Sequence, residues 1–159
     1  TAFGTTRNSL TSVTTAMSHA IVHRCFERVR YADTDKMGIV YNGNYARFFE
    51  IGRTELLRSI GLPYVELEKQ GILLPVLSLN VEYLAPARYD DLLMIETHYQ
   101  HDPNVASIQL SYQISRDDVR IARGSTKHSF LLAESWRPTR PPASFVDAVL
   151  HHHSSSELS

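Results

Sequence analysis

A single cysteine, Cys25, stands among the 159 residues. That excludes an internal disulfide framework and any zinc site built on several thiolates, and it suits a reducing compartment, so a cytoplasmic location is expected. Neither sign of charge prevails, with 16 Lys and Arg against 17 Asp and Glu and a net charge of −1. Without a basic surplus, neither nucleic acid nor an anionic membrane surface is an expected partner. No apolar run exceeds five residues, far from the ~20 that span a bilayer as a helix. Walker loops, G-x-G-x-x-G turns and G-x-S-x-G elbows are all missing, which removes the common nucleotide cradles and the serine-hydrolase elbow. Nothing in the chain asks for a metal or an organic cofactor. What is present is ordinary for one globular domain: 43% hydrophobic and 21% charged residues, in a chain long enough to bury roughly 70% of its unfolded surface.

The two ends differ from the middle. Residues 1–18 are half Ser and Thr with Arg7 as their one charge, and read as a disordered leader; the Ser-rich, acid-poor composition also fits an organelle-targeting segment, with thin support. Residues 151–159, HHHSSSELS, read as a polar tail. Between them, 19–150 reads as a single domain. HRCFERVRY (23–31) reads as a strand. Tyr45, Phe48, Phe49, Gly52, Leu56 and Ile60 then recur every three or four residues, an amphipathic helix stopped by Gly61 and Pro63. Gly52 lies on its apolar stripe, where it costs roughly 1 kcal/mol against Ala, so a close approach to something flat is expected there.

After a helical turn over 64–69 the period changes from 3.6 to 2. Leu77, Leu79, Val81 and Tyr83 alternate with polar residues, 92–99 forms the next strand, and Ala106, Ile108, Leu110, Tyr112 and Ile114 make the cleanest half-buried strand. A last strand runs from 119 to 132, and ASFVDAVL (143–150) adds a short helix. One long helix among five strands cannot build a parallel βαβ sheet, whereas it can cover an antiparallel one, so an α+β fold is expected. A single helix leaves sheet edges open, and a homo-oligomer pairing edge to edge or back to back follows.

Chemistry concentrates in Asp33-Thr34-Asp35-Lys36-Met37-Gly38. As a calcium loop it fails, because Met37 occupies the fifth position and Asn44 the twelfth. As a divalent-metal pair it lacks a third ligand nearby. It suits ordinary loop capping, and equally a carboxylate that attacks a carbonyl or activates water, with the following helix start supplying N–H groups to an oxyanion. Other residues offer less. His98 and His101, three apart on a strand, point to opposite faces and cannot share a metal. His128 reads as a partly buried histidine and Cys25 as core.

The runs RYADTDKMGIVYNGNYARFFEIGRTELLR and VEYLAPARYDDLLMIET closely resemble the 4-hydroxybenzoyl-CoA thioesterase family of hotdog-fold proteins, its YbgC-like branch most of all. The resemblance covers about residues 22–135. It implies a long central helix wrapped by a five-stranded antiparallel sheet, paired into a dimer or a dimer of dimers with sites at the subunit interface. It implies acyl-CoA as substrate, an acyl carrier protein as the other candidate, and Asp35 as the catalytic carboxylate, either nucleophile or general base. Tyr31 matches an aromatic hydroxyl near the site, and Asn42 supplies an N–H to the thioester carbonyl. Gly38, Ile39, Val40, Tyr41 and Asn44 form the turn and the substrate-facing wall, with Tyr45 as further lining or core. Glu50, like Glu55, stands on the helix where another hotdog branch uses a glutamate. The chain departs from the branch at Asn42, where relatives usually carry His; Asn hydrogen-bonds but transfers no proton near neutral pH. Arg116, Arg120, Arg123 and Lys127 are candidate phosphate grips or a solvated face. Two rivals to hydrolysis remain open: a hotdog hydratase or dehydratase, and a non-catalytic acyl-thioester or carrier-protein binding module.

Overall fold

The computed structural model describes residues 19–156; residues 1–18, read above as a leader, and the last three of the tail lie outside the described residues. Strand β1 (His19–Arg28) leads through 3₁₀ turns at Tyr31–Asp33 and Asn42–Asn44 into helix α1 (Tyr45–Ser59). Then come α2 (Tyr64–Lys69), β2 (Ile72–Leu73), β3 (Val76–Tyr83), β4 (Leu92–His101), β5 (Ser107–Arg116), β6 (Val119–Ser129), β7 (Leu131–Leu132) and α3 (Ala143–Ser156). Five strands form one antiparallel sheet in the order β1-β4-β5-β6-β3, and β2 pairs with β7 as a separate ribbon. The sheet curls around α1, which gives the α+β hotdog architecture that the resemblance implies. No helix among the described residues is long and apolar enough to cross a membrane.

The helix forms where the 3.6 period lies. Tyr45, Phe48, Phe49, Gly52, Leu56 and Leu57 turn inward, and Ile60 closes the stripe just beyond its end. Gly61, at φ 81°, takes the left-handed conformation that ends the run. At Gly52 the helix touches the sheet: a Cβ there would overlap the Thr97 hydroxyl and come within 2.8 Å of Ile95. The missing side chain therefore sets how closely α1 lies on β4. One turn earlier, Phe49 stacks on Tyr112 of β5 with ring centroids 4.4 Å apart. Inward residues Leu93, Ile95, Ile108, Leu110, Ile114 and Ile121 complete the core with the alternation expected of a half-buried sheet.

Three elements have bounds that differ from the sequence reading. The strand read over 23–31 spans His19–Arg28, because the Asp33 carboxylate draws the following residues into a 3₁₀ turn. The strand read over 119–132 breaks at Phe130. Phe130 and Leu131 are both buried, which no single period-2 face allows, and Leu131 crosses to pair with Leu73. The helix read over 143–150 continues to Ser156, since neither Gly nor Pro follows Leu150 to stop it. That helix also shares the covering role given to α1 alone: its Phe145 packs against Phe130 and Tyr99, with Val149 buried one turn on.

Inside the core runs a short polar chain. The hydroxyls of Tyr112 and Thr126 share a hydrogen bond of 2.7 Å, and Thr126 Oγ1 lies 2.7 Å from His128 Nε2. Arg53 of α1 donates to the Tyr112 hydroxyl at 3.4 Å. His128 is wholly buried, rather than partly so as the sequence reading had it. Burial, with the Arg53 charge adding to it, pushes its imidazole from the ordinary 6.5 down to about 4. The unfolded chain therefore takes up a proton on this group at a pH where the folded chain refuses it. Its contribution to stability is complete above pH 6.5 and is lost as pH falls toward 4, by up to about 3 kcal/mol. Urea titrations across that window should show the decline, and His128→Gln should flatten it; an unchanged slope would move its origin to other groups.

Candidate active site

The loop between β1 and α1 is organised by the first carboxylate of the Asp-Thr-Asp run. Asp33 is buried, and its Oδ2 accepts the Arg30 N–H at 2.8 Å while Oδ1 accepts Arg47 Nη2 at 2.6 Å. Its backbone carbonyl accepts the Tyr41 N–H and the Asn44 side-chain amide, both at 2.8 Å. One residue thus ties the start of the loop, its end and the first turn of α1 together. Arg47 also lies 3.7 Å from Glu27 on β1, extending the clamp to the sheet.

Asp35, two residues on, is only half-buried and keeps no ion pair among the described residues. The Met37 N–H binds its Oδ1 at 2.8 Å, the Gly38 N–H binds its carbonyl at 2.9 Å, and its own N–H reaches the Ile39 carbonyl at 2.9 Å. Gly38 closes this turn at φ 75°, a conformation a side chain disfavours. The Val40 N–H then bonds the Ala87 carbonyl at 2.8 Å, and Ile39 bridges to Arg88, so the segment after β3 forms the far wall.

Between these walls lies a groove of about 440 Å³ lined by Asp35, Met37, Ile39, Val40, Asn42 and Tyr45 on one side and Tyr83, Leu84, Ala85 and Pro86 on the other. Tyr45 is its floor and also part of the core; burial, and secondly Tyr83, pushes its hydroxyl up to about 12, so it is a neutral donor throughout the physiological range. Tyr83 packs edge-on against Tyr45 with centroids 5.3 Å apart, and its hydroxyl donates to the Asn42 carbonyl at 3.0 Å. That bond fixes the Asn42 carbonyl, while the Asn42 N–H stands at the first 3₁₀ residue before α1, a position where a backbone N–H has no partner within its own helix.

Of the residues named from sequence, the groove gathers Asp35, Ile39, Val40 and Asn42, with Gly38 in the turn that shapes it. Tyr31 lies apart, stacked on Tyr89. Tyr41 is exposed beside Gly43, and the Asn44 amide is engaged by Asp33. Glu50 is exposed on α1 and does not line the groove. The sequence reading missed the wall from Tyr83 to Pro86; its signal was the Tyr-Leu-Ala-Pro ending of β3. Two of the proposed phosphate grips are already paired, Arg116 with Asp91 at 2.6 Å and Arg123 with Glu82 at 2.7 Å. Burial raises the Asp91 carboxyl, but the Arg88 N–H and the Arg116 guanidinium outweigh it and hold the group below the usual carboxylate range. No three His, Cys, Asp or Glu converge as metal ligands among the described residues.

The family model of the thioesterase-like superfamily matches residues 29–149. The acyl-CoA thioesterase YbgC of Haemophilus influenzae is 33% identical over 126 residues, which are 79% of this chain and 91% of the relative. A solved DHNA-CoA thioesterase from Staphylococcus aureus superposes with a TM-score of 0.75 at 30% identity, covering 86% of this chain and 91% of that one. A 4-hydroxybenzoyl-CoA thioesterase variant bound to 4-hydroxybenzoyl-CoA superposes with a TM-score of 0.70 at 23% identity over 82% of this chain and 99% of that one, a likeness of fold.

The two aspartates should separate cleanly on mutation. Asp33→Ala removes the acceptor shared by the Arg30 N–H and the Arg47 guanidinium and frees the loop, and should cost about 2 kcal/mol in urea unfolding, Arg47 keeping solvent and Glu27 beside it. Asp35→Asn removes a half-exposed charge with no ion pair and should stay within about 0.5 kcal/mol of the parent. Equal destabilisation by both would mean that Asp33 is not the residue holding the loop.

Proposed function

The chain belongs to the thioesterase-like superfamily and is a thioester hydrolase; from this we propose that it cleaves an acyl-CoA to the free acid and CoA, with Asp35 carrying the chemistry. The observation behind this is one carboxylate, Asp35, opening on a largely apolar groove that Asn42, the first 3₁₀ residue before α1, also lines. The acyl chain lies along Val40, Tyr45, Leu84 and Ala85, and the thioester carbonyl points to the Asn42 peptide. As charge builds on that oxygen, the N–H holds it, a contribution of about 3–4 kcal/mol to the barrier for a well-placed donor. Asp35 then follows one of two routes. It attacks the carbonyl, CoA thiolate leaves, and water opens the acyl-aspartyl anhydride; or it takes the proton of a water that attacks directly. Label in the Asp35 carboxylate after single turnover in ¹⁸O-water would identify the anhydride route with water attacking the aspartyl carbonyl, since the general-base route places label in the product acid alone.

Support against a hydratase comes from the lining, which holds no histidine to pair with the acid. Support for a second copy comes from β3. This edge strand leaves Leu77 56% and Leu79 43% exposed, and it runs directly into the Tyr83–Pro86 wall. Pairing β3 with its counterpart covers those side chains, ends the open edge, and brings another chain to the mouth of the groove.

A free-thiol release assay over short, long and aromatic acyl-CoAs tests the reading. Wild type should release thiol, and Asp35→Asn should retain the fold with kcat reduced about 10²–10⁴-fold. Thiol released equally by the variant would remove Asp35 from the chemistry, and release from acyl carrier protein alone would replace CoA as the substrate. Sedimentation at micromolar concentration should show a dimer or larger; a monomer of full activity would sink the role given to β3.

A further inference from the structure

Among the described residues the core holds three buried tyrosines, Tyr45, Tyr99 and Tyr112. The Tyr99 hydroxyl meets His101 Nδ1 at 3.0 Å and that of Tyr112 meets Thr126 Oγ1 at 2.7 Å, as buried polar atoms ordinarily find partners. Tyr45 is different. Its side chain is only 3% exposed, yet its hydroxyl has no hydrogen-bond partner among the described residues. Nor is that oxygen sealed: the side-chain atoms closed off from water without a partner are His23 Nδ1, Thr97 Oγ1 and His128 Nδ1. An oxygen neither bonded nor sealed keeps contact with water, and the water that reaches Tyr45 is that of the Asp35 groove, which it lines.

The ring is held in place. It meets Phe48 edge-on with centroids 5.7 Å apart and Tyr83 edge-on at 5.3 Å. The Tyr83 hydroxyl is donated to the Asn42 carbonyl, and Asp35 and Asn42 are given to the thioester, so Tyr45 carries the polar atom left over for the acyl group. Asn42 opens the 3₁₀ turn and Tyr45 opens α1 three residues on. Residues at that spacing are neighbours on one helical face. A thioester carbonyl at Asn42 therefore brings the first carbons of the acyl group past the Tyr45 hydroxyl. A plain hydrocarbon there covers the oxygen and strips its water with nothing in return, whereas an oxygen on the chain takes the place of that water.

We infer that Tyr45 selects acyl groups bearing an oxygen close to the thioester, hydroxy- or oxo-acyl groups, over plain hydrocarbon chains of the same length, through a hydrogen bond from its hydroxyl. This rests on the acyl-CoA reading and deepens it. Burial, and secondly Tyr83, keeps the phenol protonated, so the donor is present at any pH near neutrality. A site that offers a substrate oxygen a partner rejects the analogue lacking it, because its own polar group is then left unpaired.

Hexanoyl-CoA, 3-oxohexanoyl-CoA and the two enantiomers of 3-hydroxyhexanoyl-CoA differ only at the third carbon. For wild type, kcat/KM should be about tenfold higher for the oxo ester and for at least one hydroxy enantiomer than for the plain ester. Tyr45→Phe, which removes one oxygen from a packed ring, should bring that ratio to about one, chiefly through KM. The same esters titrated by calorimetry into Asp35→Asn should show the same tenfold preference in Kd, lost when Tyr45→Phe is added. A wild type that hydrolyses acyl-CoA without preference for oxygen would overturn the inference and leave hydrolysis standing. A preference that Tyr45→Phe leaves in place would do the same. Absence of thiol release from every ester, with the preference intact in binding, would sink the catalytic reading and leave the Tyr45 contact standing. Failure of every ester to bind would overturn both.

Discussion

A carboxylate that leaves water must be given partners, and in this protein that requirement organises the loop between β1 and α1. Asp33 is buried with an arginine on one oxygen and a backbone N–H on the other, while its carbonyl takes two further donors. Breaking such a pair leaves an uncompensated charge inside, so the loop has one low-energy arrangement rather than many. Everything downstream inherits it: the turn at Gly38, the strand-like bridge of Ile39 to Arg88, and the entry into α1. Asp35 is relieved of any structural ion pair by its neighbour, which is what lets a charge face the groove.

The second constraint is distance. A sheet can wrap a helix only if the helix has somewhere flat to lie, and Gly52 supplies the spot above Thr97 and Ile95. The penalty of glycine in a helix is offset by close packing of the neighbouring turns, where Phe48, Phe49 and Leu56 are fully enclosed. The N-terminus of α1 is thereby fixed against the sheet, and with it the Asn42 carbonyl that the Tyr83 hydroxyl holds from the other side. Core packing and site geometry are the same set of contacts seen from two ends.

Exposure, too, is distributed with a pattern. The inner face of the sheet is closed, whereas β3 carries apolar side chains outward along an unpaired edge, and the Tyr31–Tyr89 stack stands open beside arginines. The β3 edge runs into the wall of the Asp35 groove, and the stack lines a groove of its own.

Much of this was legible in the sequence. The 3.6 period from Tyr45 to Ile60, the period-2 strand through Tyr112, the packing role of Gly52 and the importance of the Asp-Thr-Asp run are local patterns, and local patterns are what periodicity and loop chemistry encode. The sequence alone also determined the fold class, because one long helix among five strands admits few arrangements. Tertiary structure decided the rest. Which aspartate is buried depends on Arg47, fourteen residues away, turning back onto the loop. The far wall from Tyr83 to Pro86 meets the loop only because Ala87 and Arg88 bond to Val40 and Ile39 across more than forty residues. The resemblance gives Tyr31 as an aromatic hydroxyl near the site, and its stacking on Tyr89, far along the chain, is visible only in the fold. Spacing along a chain fixes which side chains share a face of one element; which elements then meet is settled by the packing of the whole, and no single segment carries that information.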